Sequence, residues 1–391
     1  MIKSSLLSLE KYIDYNNYKG YDPYDTLNSS FPLKYFGKWF SILAIQFQKR
    51  NPINIRPLLG VKAGINPKGM GLLLKAYCIL YEIENKNEYY ECAKNIYVWL
   101  INNYSEGYSG ICWGYNFDWA NPEEYLKAFE PNVVVTGTVI DGIYKYSKIF
   151  QDTQAREIVI SSSDFVLKDL PIINIDTKKC IGYNTNSKNC CYNASLYGSL
   201  ILSFANRIKP NKKYQEIIDE VVAYVLSKQK TDGSWYYSYN IEQQTERRQI
   251  DFHQGFILVL LNDIIKDYSS QKDILTSIQR GINYYKDKQF YKNGRSKWRL
   301  PKKWPVDIHN QSQGIITFSK FAYLNKEYLS FSHNIANWTI TNMQAEDGYF
   351  YYRNYKYFKN KISYIRWSQS WMFLALVELM KANKIYSDEE N

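Results

Sequence analysis

Phe252-His-Gln-Gly-Phe-Ile-Leu-Val-Leu-Leu-Asn-Asp-Ile-Ile265 is apolar around nearly the whole circumference of the helix that it predicts. A helix with no polar stripe belongs inside a structure, surrounded by other elements. Five more stretches of this kind begin near Pro67, Val133, Cys190, His309 and Trp367, and successive starts lie 57 to 66 residues apart. A period of roughly 60 residues marks a repeated supersecondary unit that cannot bury its apolar surface alone.

Between the apolar helices fall six stretches with a clear polar face, at 32–50, 86–103, 153–168, 212–230, 272–289 and 325–343. In the fourth, Tyr214, Ile217, Ile218, Val221, Val222 and Val225 recur at helical spacing while Lys213, Glu216, Asp219 and Glu220 face away. Six inner helices alternating with six outer ones predict an all-α (α/α)6 toroid, a closed ring of six helical hairpins with short extended segments in its loops. Gln229-Lys-Thr-Asp-Gly-Ser-Trp235 is matched by Gln344-Ala-Glu-Asp-Gly-Tyr-Phe350, and more loosely by Gly107–Trp113 and by Asn293-Gly294 before Trp298. Asp-Gly supplies a tight turn after each outer helix. No linker divides the chain, so residues 1–391 read as one domain with residues 1–31 as an N-terminal arm.

Hydrophobic residues make up 45% and charged residues 22% of the chain, which excludes wholesale disorder. Aromatic content reaches 17%, with 38 Tyr and 10 Trp, side chains that suit wet interfaces and sugar-lined clefts; coding bias toward Tyr, Lys, Asn and Ile is the plainer explanation. Net charge is +11. The stretch 286–303 carries eight cations against Asp287, interleaved with Tyr291 and Trp298 and followed by Trp304, which suits an anionic glycan or a lipid phosphate at a membrane surface, or simply a solvated loop. Nucleic acid is not expected, since no helix-turn-helix, zinc-finger or RNA-recognition pattern occurs. The six Cys form no CxxC pair and read as small hydrophobes. Met1–Tyr18 lacks a signal-peptide apolar region and no run approaches a membrane span, so a soluble cytoplasmic protein is expected.

The segments Gly20-Tyr-Asp-Pro-Tyr-Asp25, Val134-Val-Thr-Gly-Thr-Val-Ile-Asp141, Asp251-Phe-His-Gln-Gly255 and Val306-Asp-Ile-His-Asn-Gln-Ser-Gln-Gly314 give the chain a likeness over nearly its whole length. It resembles the six-hairpin toroid superfamily of unsaturated-glucuronyl hydrolases, N-acylglucosamine 2-epimerases and related glycan-processing enzymes. More narrowly, it resembles toroid proteins encoded among bacterial capsule and surface-polysaccharide biosynthesis genes. The resemblance implies a carbohydrate context without fixing a reaction, because one fold hosts many chemistries.

In such a ring the loops entering the inner helices surround a funnel, so the inner-helix N-termini are the positions to search. Asp251-Phe-His253 and Asp307-Ile-His309 stand there in parallel settings. A helix N-terminus disfavours imidazolium, which leaves a neutral His able to accept a proton, with Asp251 and Asp307 as helix caps, orienting partners or acid–base groups. Substrate contacts are expected from Asp22, Tyr24 and Asp25 in a covering arm and from Trp113, Tyr115 and Asp118 in an aromatic-acidic loop. Glu130, Asn132, Trp235, Trp304, Gln311, Arg366 and Trp367 at the rim complete the set. Asp141, inside an apolar helix, requires a partner. Neither metal nor cofactor is implied, for lack of a ligand cluster, a Walker loop or a dinucleotide fingerprint.

The expected function is therefore acid–base chemistry on a sugar, an oligosaccharide or a lipid-linked glycan by a hydrolase, lyase or epimerase of surface-polysaccharide biosynthesis. The alternatives are a non-catalytic glycan-binding or scaffolding protein, and an isoprenoid-handling toroid, which the missing Asp-rich and zinc motifs disfavour.

Overall fold

A computed structural model describes residues 1–122 and 124–389. Its helices are α1 (Ile2–Tyr15), α2 (Lys38–Arg50), α3 (Pro67–Glu84), α4 (Asn87–Ile101), α5 (Val133–Ile149), α6 (Thr153–Asp164) and α7 (Tyr192–Ile208). They continue with α8 (Lys212–Ser227), α9 (His253–Ile264), α10 (Gln271–Gln289), α11 (Ile308–Lys320), α12 (Lys326–Met343) and α13 (Trp371–Glu389), the last entered through a π-type turn at Ile365–Ser370. The inner helices α3, α5, α7, α9, α11 and α13 each pack on the next, and α13 packs back on α3, so the ring is closed. This is an (α/α)6 toroid. Among the described residues, no helix is long and apolar enough to cross a membrane.

Five outer helices, α4, α6, α8, α10 and α12, each follow an inner one and fold back on it. The sixth place is taken by α1, which buries Leu6, Leu9 and Ile13 in the common core and packs on α13 and α12. The segment 32–50, expected as an outer helix, instead forms α2 within the loop that leads to the funnel mouth. One device, seen twice, shows why α1 fits where it does. On α10, Ser277 donates to Gln229, whose amide closes the Asp232-Gly233 turn through the Gly233 carbonyl. On α1, Ser5 donates to Gln344, which closes the Asp347-Gly348 turn in the same way. Both glycines adopt left-handed backbone, φ 93° and 92°, and both lie hard against the neighbouring outer helix.

Where α3 meets α5 the backbones approach closely: a Cβ on Gly71 would stand 2.7 Å from the Val139 Cα, and one on Gly142 would stand 2.6 Å from the Gly71 carbonyl. Deeper in the ring, charges alternate. Lys75 of α3 pairs with Asp141 of α5 at 2.6 Å, and Asp263 of α9 pairs with Lys320 of α11 at 2.8 Å. Asp141 thus has the partner its apolar surroundings demand. Burial pushes the Asp263 carboxyl up, but Lys320 and Lys75 outweigh it and hold it below its usual range.

A Cβ on Gly348 would lie 2.3 Å from the Ser8 carbonyl oxygen, whereas Gly107, with φ 87°, faces open space. Gly348→Ala should therefore destabilise the fold by about 1–3 kcal/mol in urea denaturation, and clearly more than Gly107→Ala, where only backbone strain is added.

Candidate active site

The funnel mouth is fixed by one repeated requirement: each loop that descends into the ring must satisfy its buried main-chain N–H. Five inner helices meet it with a polar side chain near their start. Thr136 accepts from Trp113 N–H at 3.1 Å, Ser195 from Ile181 at 2.8 Å and Gln254 from Trp235 at 3.1 Å; Gln311 accepts from Ser296 at 2.7 Å and Gln369 from Phe350 at 2.8 Å. Gln311 also donates to Thr339 at 2.7 Å. Trp113 and Trp235 are fully buried, their indole N–H groups donating to the Leu100 and Val225 carbonyls at the ends of outer helices. These three side chains, read from sequence as sugar contacts, are occupied in anchoring the wall.

The two Asp-x-His segments do meet. The Phe252 ring centroid lies 4.4 Å from each of the His253 and His309 imidazoles. Their acids differ in use. Asp251 accepts from the His253 ring at 2.5 Å and from Gln249 at 2.7 Å, with Arg299 at 3.4 Å. Burial works against its charge, but His253 and Arg299 prevail and hold its pKa below the ordinary value. Asp307 caps α11 through the His309 main chain and accepts from Arg353 at 2.7 Å and the Trp367 indole at 2.8 Å. The Arg353 contact follows from strand register, since Val306–Asp307 pairs antiparallel with Arg353–Asn354 and sets Asp307 opposite Arg353.

His309 is buried between the Trp367 and Trp371 rings, at 4.5 and 4.9 Å. Neither ring nitrogen has a hydrogen-bond partner of normal geometry among the described residues. Burial lowers its pKa well below that of a free imidazole, and Lys68, Arg366 and His253 lower it further. Lys68, near the start of α3, was not anticipated from sequence. It is 4% exposed, and among the described residues its ammonium makes no hydrogen bond or ion pair; the Trp371 and Phe256 rings lie 5.6 and 5.9 Å away. Burial, then Arg366, drives its pKa well below the usual lysine value. A lysine in the first turn of an otherwise apolar helix, where the dipole already disfavours a cation, is the signal that could have found it.

Asp22 does come over the funnel, gripped by Arg366 in a two-pronged pair at 2.6 and 2.8 Å, and the Tyr115 ring lies 4.9 Å from that guanidinium. Tyr24 packs on Trp367 and hydrogen-bonds Lys49 of α2. Burial raises the Tyr24 phenol, but Lys49 outweighs it, so the phenol is lowered; burial lowers Lys49 in turn. Lys49 is a second site residue absent from the sequence reading.

The remaining candidates stand apart. Asp25 turns to Arg56 at 2.6 Å. Asp118 is tied to Lys34, the Tyr125 hydroxyl and the Ala128 main chain. Glu130 closes its own turn on the Lys127 N–H, Asn132 caps α5, and half-buried Trp304 lies under Arg295. Asp25, Asp118 and Glu130 are thus engaged locally, whereas the Asn132 side-chain nitrogen is buried without a hydrogen-bond partner among the described residues. Among the described residues, no three His, Cys, Asp or Glu side chains come together so as to hold a metal ion.

Solved structures share this architecture. Cellobiose 2-epimerase of Bacillus thermoamylovorans is 13% identical, with 82% of this chain matching 90% of that one at a TM-score of 0.62. A GH76 α-mannanase of Bacteroides thetaiotaomicron is 12% identical, with 84% matching 89% at 0.64. A possible member of the GH105 family from Salmonella enterica is 9% identical, with 83% matching 87% at 0.62. The chain has the (α/α)6 toroid fold of these glycosidase- and epimerase-like proteins. No family model and no curated protein matches it.

A buried ammonium with no counter-ion among the described residues opposes folding. In the unfolded chain Lys68 keeps its proton up to about pH 10.4, while its folded pKa is depressed. The penalty is therefore present at neutral pH and fades as pH rises toward the unfolded value. Lys68→Met should raise stability at pH 7 by on the order of 1–2 kcal/mol, with a smaller gain at alkaline pH, as measured by denaturant unfolding across pH.

Proposed function

We propose that the protein is an enzyme acting on a sugar or oligosaccharide by acid–base chemistry, with His309 as the proton-accepting group. The observation that carries this reading is the His309 imidazole itself: buried, with its pKa lowered, without a hydrogen-bond partner of normal geometry among the described residues, and packed against two indoles at the start of an inner helix. A neutral imidazole whose nitrogens are not committed to a side chain can take a proton from a bound hydroxyl or from a carbon next to a carbonyl once a ligand reaches it. Sugar reactions of the structural neighbours, among them cellobiose 2-epimerase and D-mannose isomerase, support the substrate class.

The balance of charge favours proton transfer over two-carboxylate hydrolysis. Asp22, Asp251 and Asp307 are each committed to a cation or a donor, whereas glycoside hydrolysis usually needs two carboxyl groups free to act on the scissile bond. Epimerase, isomerase or lyase chemistry asks instead for a base and a stabiliser of developing negative charge, roles suited to His309 and Lys68. A cation without a counter-ion also suits a substrate bearing a carboxylate or phosphate. Surface-polysaccharide biosynthesis in the cytoplasm, with a free or lipid-linked glycan, is the setting that the sequence resemblance supports.

Turnover of a sugar panel including cellobiose, mannose and glucuronate, followed by proton NMR in deuterated water, tests the proposal. His309→Asn should lower the rate by about 10²-fold or more while leaving the helical circular dichroism unchanged. The wild-type rate should fall only as pH drops below the usual imidazole value, because the depressed His309 pKa keeps the base form populated down to lower pH. Wild-type turnover retained in His309→Asn would overturn the assignment.

A further inference from the structure

Helix α2 is amphipathic in the reverse sense. Its buried side carries Ser41, Gln48 and Lys49 with Ile45, while Phe36 in the turn before it and Trp39, Phe40, Leu43 and Phe47 form a stripe facing out. Phe36, Trp39, Leu43 and Phe47 are each about two-thirds exposed, at 66%, 67%, 68% and 65%. Aromatic and leucine side chains at helical spacing, bare of any covering element, mark an interaction surface. Beside the stripe opens a cleft of about 550 Å³ lined by Lys34, Lys38, Lys127, Tyr35 and Tyr125. Asp118 also lines it, but its carboxylate is consumed by Lys34, Tyr125 and the Ala128 main chain.

Charge decides which partner fits. Between Asp25 and Glu82 the sequence has no acidic residue, and three lysines, Lys34, Lys38 and Lys127, line the cleft against the acid Asp118. A two-fold contact between copies of this face would set Lys38 and Lys127 against the same cations, since Asp118 is already held by Lys34. A surface that is apolar beneath and anionic at its rim matches both halves of the pattern. We infer that α2 and its lysine-lined cleft dock the protein on an acidic phospholipid surface, with the aromatic stripe in the interfacial layer and a headgroup phosphate in the cleft. Interfacial helices combine Trp, Phe and Leu on one face with flanking Lys or Arg in this way. The inward Lys49 hydrogen-bonds Tyr24, so docking would hold the funnel mouth at the bilayer. The inference does not depend on the reaction proposed above.

Flotation with vesicles of phosphatidylcholine alone, and of equal parts phosphatidylcholine and phosphatidylglycerol, tests it on the full chain. The wild type should float with the acidic vesicles and not with the neutral ones. The triple variant Trp39→Glu, Leu43→Glu, Phe47→Glu and the double variant Lys38→Glu, Lys127→Glu should each lose binding by at least about tenfold. All substituted side chains sit on exposed or partly exposed surface, and unchanged melting curves would show the fold intact. Absence of binding to acidic vesicles, equal binding to both vesicle types, or binding unaffected in both variants would overturn the inference. A concentration-dependent dimer in light scattering that the triple variant abolishes, without vesicle binding, would overturn it in favour of self-association.

Discussion

The ring depends on the main-chain N–H groups that enter it. Each long loop descends from an outer helix into the apolar interior, where an unsatisfied amide is costly. Five of the six inner helices answer with Thr136, Ser195, Gln254, Gln311 and Gln369, one buried acceptor each, directed at the loop that precedes them. Once those loops are pinned, the positions just before the acceptors are fixed at the rim as well. These include Asp251 and His253 ahead of Gln254, Asp307 and His309 ahead of Gln311, and Arg366 and Trp367 ahead of Gln369. The residues proposed to carry chemistry are thus ones whose neighbours in sequence hold the scaffold.

Charge inside the funnel follows from the same crowding. A buried carboxylate is stable only when paired, and Asp22, Asp251 and Asp307 are paired with Arg366, His253 and Arg353. What is left over among the described residues is cationic or neutral: Lys68 without a counter-ion within ion-pair distance, and His309 without a hydrogen bond of normal geometry. The residues that stabilise the site and those free to act on a ligand are therefore different residues, although both kinds come from the same helix starts.

The ring was legible because a helix apolar on all sides, repeated about every 60 residues, admits few packings. The sixth outer helix was not. Leu6, Leu9 and Ile13 form an ordinary amphipathic stripe whose partner, α13, lies at the far end of the chain, so closure contacts leave no local mark. Segment 32–50 misled for the opposite reason: its periodicity is clear, but a stripe says which residues share a face, not whether that face points inward. The Asp-x-His pairs were found by their position at helix starts. The loss of Trp113, Trp235 and Gln311 from the site could not be foreseen, since an aromatic or amide near a loop looks the same whichever way it turns. Lys68 escaped because a single lysine in an apolar run reads as a snorkelling side chain.

Among the described residues the ring holds an imidazole without a hydrogen bond of normal geometry, at His309, near an ammonium without a counter-ion, at Lys68. With only three histidines in the chain, imidazole NMR signals assigned through single His variants can be followed through a pH titration. The account predicts that His309 stays neutral through the range near pH 6.5 where a free imidazole takes up its proton, and that its pKa rises in Lys68→Met. Titration of His309 near pH 6.5, unchanged by loss of Lys68, would contradict it.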